Sequence, residues 1–544
     1  MTKDFSKHLF LFLSKSPFQE SQSASQIISS IKVPDRQFPR SVFVYDHDSI
    51  CLGYFASYED HFTDDQIFTY CKKGLWKEMV KKIADYLIIF IDCHNHKINI
   101  LTSLTGKIPC FYSVENNQII ISTSFHLVDE NLKKRTLCIE EALEFLVWRQ
   151  SVYPREETLY NQINQLPPAT LLTVDRNFNV VSEPLLTIDE ILEDGRKPLF
   201  LDNNDFINEF MRMGKVVMDD YLKTVGEVDF SLELSSGFDS SLVAYWLKKS
   251  TLQPFVCYST FSPLIYEDSH PGIVNKFSNL HGLTTKFIDI TDHFPFANLK
   301  NISDARHNFY ITDYGFEKIS YGYSCISDSG KKETALFTGH GGDELYHSFA
   351  LENTLRFGVQ GTYFDLLSYS NSWLNSVLTI RGVDILTSKK RFSQKRIYPS
   401  PASFSVSVLG QMYFPLFWES GVWPLTPLDD PRLMNVCRRM PKSLQNEDNI
   451  KLKLCSLMRN VFIKEQFVTK GGPDKLHHRF LTERTDLVIS VLKKSILGEL
   501  GLIKNIELIK ELENKNSSFF ANLEIPLFLQ ALIQLEIFLQ KSDL

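Results

Sequence analysis

Residues 231–246 read SLELSSGFDSSLVAYW. An alternating apolar stretch, EVDFSLEL, runs into Ser235, Ser236, Gly237, Asp239 and Ser240, and from there into DSSLVAYWLKKS, whose apolar spacing is helical. Period-two alternation marks a strand and the following pattern a helix, so the cluster sits at a strand-to-helix junction. In open parallel sheets ligands lie outside the carboxyl ends of strands, at such junctions. Small residues let backbone N–H groups converge on an anion, and the positive end of the helix dipole favours phosphate there. Asp239 does not suit a bare phosphate cradle, because a carboxylate repels phosphate unless a cation stands between them. Magnesium, which prefers carboxylate and phosphate oxygens, is the natural intermediary. Plain turn chemistry, with Asp239 capping the helix through Ser240, accounts for the same residues, and the loop by itself does not choose.

A second stretch has the same grammar. LFTGHGGDELYHS, residues 336–348, joins a strand end (Ala335, Leu336, Phe337) to a turn containing Gly339, Gly341 and Gly342, followed by Asp343 and Glu344. Two strand ends, each offering glycine and one carboxylate, can hold a nucleotide pyrophosphate and Mg²⁺ between them. His340, Asp343, Glu344 and His347 also suggest a transition-metal set at helical spacing, but two adjacent glycines argue against a continuous helix through them.

The surroundings fit an α/β protein of two units. At 544 residues the chain exceeds one ordinary core. Up to about Pro184 short strands dominate (HLFLFL, SVFVYDHD, YLIIFID, KINILTS, ATLLTVD), with a hairpin signal at ENN inside CFYSVENNQIIISTS and a helix at IEEALEFLVW. Residues 186–204 are polar with Gly and Pro and suit a linker. Strand-like and helix-like segments then alternate (EVDFSLEL, PFVCYSTF, TKFIDI and TALFTG among the strands), which implies a parallel sheet covered by helices. From about 350 onward the pattern reads as mainly helical, with apolar stripes in LVISVLKKSILGELGLIKNI and IPLFLQALIQLEIFLQ that suit core packing.

Composition narrows the function. The net charge of −7, with no long block of either sign, does not suggest a dedicated nucleic-acid or anionic-membrane binder, which normally shows a basic excess. The nine cysteines are scattered, odd in number and never spaced C-x-x-C, which fits reduced thiols rather than a zinc or disulfide framework. With no signal-peptide core and no apolar run of membrane-spanning length, a cytoplasmic location is expected.

SSGFDSS resembles the S-G-G-x-D-S loop of ATP pyrophosphatases of the asparagine synthetase type, and TGHGGDEL resembles that family's S-G-E-G-x-D-E-L segment. Order and spacing agree. TGKIPCFYSVENNQIIISTSFHLV is similar to the family's G-x-x-P-L-Y-Y hairpin, ETLYNQINQLPPATLLTV to its L-P-P-G region, and PLTPLDDPRLMNVCRRMP to its P-F-L-D-x-R-L-V segment. The resemblance implies an Ntn-hydrolase-like αββα glutaminase-type domain over residues 1–195. A doubly wound parallel-sheet synthetase domain, of the adenine nucleotide alpha hydrolase type with a helical C-terminal part, is then expected over 205–544. Glutamine-dependent members begin with cysteine after Met removal; here Thr2 and Lys3 stand there, with no N-G-E-x-Y-N counterpart. The first domain is therefore expected to be a scaffold without its nucleophile, and the amine to come from elsewhere.

Two branches of the family fit an amine not drawn from glutamine: β-lactam synthetases and lasso peptide cyclases. His340 stands where asparagine synthetases carry glutamate, and G-H-G-G-D is similar to the lasso cyclase segment. The resemblance implies ATP held by Leu234, Ser235, Ser236, Gly237, Asp239, Ser240, Tyr258, Gly339 and Gly341, with Mg²⁺ on Asp239 and Asp343. Ser236 replaces a glycine-type position; it either strains a positive φ or offers its hydroxyl to phosphate. A peptide carboxylate would attack the α-phosphorus, and the peptide's own amine would then displace AMP. A lysine is expected after P-L-D, Lys470 matching best and Lys464 second, with a plain surface lysine the alternative for both. His340 would serve as a base or bond within its loop, and KLHHRF (475–480) would be an exposed basic face or meet an acidic leader. Partners implied are a precursor peptide, a leader peptidase and a leader-binding protein. The alternatives are another adenylating amide ligase or a non-catalytic peptide- or nucleotide-binding scaffold, against which the retention of Asp239 and Asp343 speaks.

Overall fold

The structure is a computed structural model that describes residues 9–14, 31–33, 38–58, 62–148, 156–186, 190, 199–263, 269–299, 316–327, 333–346, 373–387, 413–414, 416–447, 449–463, 474–514 and 524–541. Among the described residues its first part holds eleven strands: β1 (Phe10–Ser14), β2 (Ile31–Lys32), β3 (Arg40–Tyr45), β4 (Ser49–Ser57), β5 (Ala84–Asp92), β6 (Lys97–Thr102), β7 (Phe111–Glu115), β8 (Gln118–Ser122), β9 (Asn164–Gln165), β10 (Thr170–Asp175) and β11 (Val180–Pro184). They form two antiparallel sheets, ordered β2-β1-β8-β7-β9 and β11-β10-β6-β5-β4-β3. The ENN hairpin is the β7–β8 connection, where Asn116 and Asn117 both take positive φ, at 50° and 57°. A two-residue turn of this kind matches the twist of the strands it joins.

Alternation along the strands builds four layers. Ile50, Leu52 and Tyr54 of β4 and Ile89 and Ile91 of β5 share a core with Leu11, Ile119 and Ile121 of the facing sheet. Their neighbours Cys51, Phe55, Ile88 and Phe90 point the other way. There they meet Ile67 and Cys71 of helix α1 (Asp64–Lys72) and Met79 and Val80 of α2 (Trp76–Val80). Phe111 and Ile120 face outward from the other sheet, onto Val128 of α3 (Phe125–Asp129) and Leu143 and Leu146 of α4 (Ile139–Trp148). Two sheets face to face, with helices on both outer sides, make an αββα sandwich.

Helix α5 (Asn203–Val225) opens the second part. Asp202 caps it, accepting from the Asn204 and Asp205 amides, and Gly226 ends it at φ 58°. Then come β12 (Asp229–Glu233), α6 (Phe238–Ser250), β13 (Val256–Phe261), α7 (Ser269–His281), β14 (Thr284–Asp289), α8 (Phe316–Ile326), β15 (Thr334–Phe337), α9 (Gly342–Tyr346) and β16 (Val422–Leu425). The five strands pair in parallel in the order β14-β13-β12-β15-β16. The order runs outward from β12 in one direction and then reverses, so the crevice between β12 and β15 is the topological switch point where such sheets bind ligands.

The stretch read as mainly helical contributes β16 to this sheet. VWPL is only four residues long, and Pro424 has no N–H to donate; a sheet tolerates that residue at an edge, which is where β16 lies. Helical segments follow, including α10 (Pro431–Arg438), α11 (Ile450–Leu457), α12 (Asp474–Glu483), α13 (Thr485–Leu492) and α14 (Glu524–Lys541).

The two parts share cores. Tyr58 stacks on Tyr221 of α5 with ring centroids 4.3 Å apart, and Tyr54 meets Trp418 edge-on at 4.6 Å. Beneath Tyr58 the fully buried Lys107 donates to Asp85 over 3.2 Å, and Asp85 also accepts from the Tyr58 and Thr105 hydroxyls. On the opposite face Phe538 of α14 reaches Phe125 and Tyr160.

Candidate functional site

Both glycine-bearing loops lie at the carboxyl ends of adjacent strands, β12 and β15. In the first, residues 234–237 join β12 to α6, and the loop is tied by its own side chains. Ser240 Oγ accepts from the Ser235 amide at 3.0 Å and lies 2.8 Å from Ser235 Oγ, which itself accepts from the Gly237 amide at 3.1 Å. Gly237 is the N-cap residue of α6, and no side chain caps that end, so neither Asp239 nor Ser240 is used up in capping. Ser236 does not have positive φ. Its side chain turns inward, 2.9 Å from Nδ1 of His270 in α7, whose Nε2 lies 3.4 Å from Ser259 Oγ on β13. The hydroxyl thus serves the protein interior rather than reaching outward. Leu234 donates its N–H to the Tyr258 carbonyl at 2.8 Å, continuing the β12–β13 ladder beside the loop.

The second loop is pressed against the first. A Cβ at Gly339 would lie 2.7 Å from the Ser240 nitrogen, and one at Gly342 would overlap the Asp239 carboxyl carbon. No real side chain tolerates such approaches, so glycine here is a condition of the two loops meeting. Gly341, at φ 90°, turns the chain into α9, which begins at Gly342 and carries Asp343 and Glu344 in its first turn. His340 is half-buried, and its amide donates to Thr338 Oγ1 at 3.4 Å.

A third element, which the sequence did not reveal, completes the site. Asn449 caps α11 by accepting from the Leu452 amide, and this sets Lys451 in the first turn. The Lys451 ammonium donates to Asp239 Oδ2 at 2.6 Å and also to Asp343 Oδ1. It stands 5.8 Å from the centre of the Tyr346 ring, beside which Phe238 packs edge-on. Three segments about a hundred residues apart in sequence therefore converge on two carboxylates and one cation.

Burial sets the electrostatics. It raises the Asp239 carboxyl above its ordinary value, with the Lys451 charge opposing and the Asp343 and Glu344 carboxylates reinforcing. Burial pulls the Lys451 ammonium down, but Asp239 and Asp343 more than restore it, leaving it raised. The Tyr346 hydroxyl is pushed well up, by burial first and then by Asp239. Asp239 Oδ1 is buried and accepts no well-aligned hydrogen bond, the Tyr346 hydroxyl interacting with the carboxylate without satisfying it. That orphaned oxygen, with the exposed Asp343 carboxylate beside it, is a hard-oxygen donor set of the kind magnesium takes, often with phosphate completing the shell. Among the described residues no cluster of three His, Cys, Asp or Glu is suited to a metal, so the transition-metal set around His340 does not assemble there. Its fourth member, His347, lies outside the described residues, as do Lys464 and Lys470.

No protein-family model and no curated protein matches the chain. Among solved structures, it is similar to the U34-tRNA thiolase NcsA of Methanococcus maripaludis at 13% identity and TM-score 0.25, over 57% of this chain and 80% of that one. It is also similar to an allosteric regulatory enzyme of purine biosynthesis at 8% and 0.20, over 55% and 81%. A third is the glutamine phosphoribosylpyrophosphate amidotransferase of B. subtilis, at 9% and 0.18, over 64% and 73%. At these scores the superpositions carry no argument; the architecture rests on the sheet order and the layers. No helix among the described residues is long and apolar enough to cross a membrane.

Proposed function

We propose that the chain is an ATP-dependent, AMP-forming amide ligase, and that its substrate is a peptide closed into a lasso macrolactam. The observation that carries the ligase reading is the meeting of Asp239 and Asp343 on one ammonium at the switch point of a parallel sheet. Such a crevice suits a nucleotide, and the hydroxyls of Ser235 and Ser240, with the N-terminal end of α6, would meet its phosphates. Asp239 and Asp343 would hold Mg²⁺, which when bound supplies neutralisation of phosphate charge. Lys451 supplies a fixed positive charge on the same side, and the aromatic floor of Phe238 and Tyr346 strengthens it by lowering the local dielectric.

The peptide substrate is supported by the resemblance of GHGGD to the lasso cyclase segment. In that reading an Asp or Glu side-chain carboxylate of the precursor attacks the α-phosphorus of ATP, releasing pyrophosphate, and the peptide's N-terminal amine then displaces AMP from the adenylate. Holding both ends in one cavity makes the condensation effectively unimolecular. A leader peptidase and a leader-binding protein would act before it, and the chain would work in the cytoplasm. Other amide-forming ligases of the same chemistry, β-lactam synthetase-like or ammonia-dependent, would need the same phosphate loops.

ATP–pyrophosphate exchange tests the proposal. The purified chain is offered aspartate with ammonia, a small β-amino acid, or a leader-free peptide with a free N-terminus and an internal acidic residue. Exchange with the peptide alone, with loss of one water from its mass, is expected. Exchange with a small molecule instead would replace the lasso reading by another ligase, and silence with all three, despite partner proteins, would reject ligation.

A further inference from the structure

We propose that His270 is a positioning residue for the phosphate loop, acting through Ser236; the proposal rests on the nucleotide reading of that loop. Ser236 and His270 are 5% and 1% exposed, so their 2.9 Å contact lies inside the protein. The imidazole is held from its other edge by Ser259, fully buried on β13 and 3.4 Å from Nε2. Three elements are thereby tied together: the β12–α6 loop, the neighbouring strand and the first turn of α7.

The consequence for the loop is directional. Leu234 and Ser236 on either side of Ser235 are buried while Ser235 itself is exposed, so pinning residue 236 inward leaves Ser235 on the outer side of the loop. Ser235 Oγ is the atom that gathers the Gly237 amide and Ser240 Oγ. Fixing Ser236 therefore fixes the whole row of phosphate-facing groups without His270 touching a ligand. Burial lowers the imidazole pKa to about 4, so at neutral pH the ring is neutral, with one donor and one acceptor nitrogen. A serine hydroxyl can answer either, and both nitrogens are satisfied in one arrangement.

Asparagine places an amide near the position of Nδ1 and glutamine near that of Nε2, so the two replacements separate the contacts. Binding of Mg·ATP to the full chain is measured by titration calorimetry, with melting temperatures recorded alongside. Ser236→Ala, His270→Ala and His270→Gln are expected to weaken binding roughly tenfold, the scale of one lost buried hydrogen bond. His270→Asn should stay within about threefold of wild type, and Ser236→Ala/His270→Ala should be no weaker than either single variant, because both remove the same contact. Should His270→Ala fail to fold, Ser236→Ala with His270→Asn still decides. Wild-type affinity in Ser236→Ala, additive losses in the double variant, or a His270→Asn as weak as His270→Gln would each overturn the proposal. A wild type that binds no nucleotide overturns the nucleotide reading itself, whereas one that binds ATP but closes no peptide overturns only the substrate.

Discussion

Asp239 is held at a cost to the fold. Its carboxyl is raised by burial despite Lys451, so the native state binds that proton more tightly than the unfolded chain does. Stability from such a group is fully present below the unfolded value and is lost as pH rises through the native one. Asp239→Asn should therefore melt no lower than wild type at neutral pH, with wild type gaining on the variant as the solution is acidified. Exchange activity should nonetheless fall by about 10²–10³-fold, the usual loss when a charge-stabilising group is removed; a variant that melts lower yet keeps its activity would contradict both halves. Lys451→Met leaves two carboxylates facing each other and should cost about 1–2 kcal/mol, a modest figure because Asp343 is exposed to solvent. Magnesium should then raise the melting temperature of the variant more than that of wild type. Both aspartates announce themselves in the sequence, each beside glycines at a strand end. Lys451 does not, since NIKLKL offers nothing beyond a capped helix start. His270 is equally silent, as its role depends on a serine thirty-four residues away.

Elements behave differently according to how locally they are specified. Helix α9 starts where it does because Gly342 leaves room for Asp239, so Gly342→Ala should displace that carboxylate. We expect a stability loss of about 1–3 kcal/mol and an exchange rate lowered as far as in Asp239→Asn, and denaturant titration with the exchange assay checks both. Glu536 of α14 gives the opposite profile. Wholly buried, it accepts from Ser495 Oγ and from the Ile496 and Leu497 amides at 2.6–3.0 Å, capping the short helix Ile496–Glu499. Glu536→Ala should cost about 1–3 kcal/mol with nucleotide affinity unchanged. Strands and hairpins of the first part were legible because alternation and turn residues act within a few positions, as at Asn116 and Asn117. β16 was not, because four residues with a proline become a strand only once β15 is there to pair with them.

At the scale of the whole molecule, the two parts are distinguishable by sheet type but not by core. One buried cluster runs from Ile50, Tyr54 and Ile89 in the sandwich sheets, through Tyr221 and Leu232, to Phe414 and Trp418. Heating should therefore give one calorimetric transition, and Tyr221→Ala, which removes the ring stacked on Tyr58, should lower it for both parts together by about 3–5 kcal/mol of stability. Two separated transitions in the wild type would refute the shared core. Composition and rhythm made two sheet systems legible; contacts between residues as distant as Phe125 and Phe538 were not, because no local pattern encodes a partner.

That last contact has a consequence for synthesis. Leu143 and Leu146 of α4 are buried partly by α14, near the far end of the chain. A ribosome adding about 5–20 residues per second needs roughly 20–80 s to reach α14 after α4 emerges. For that interval the nascent chain carries an apolar helix covered only in part, a binding site for a chaperone and a nucleus for aggregation.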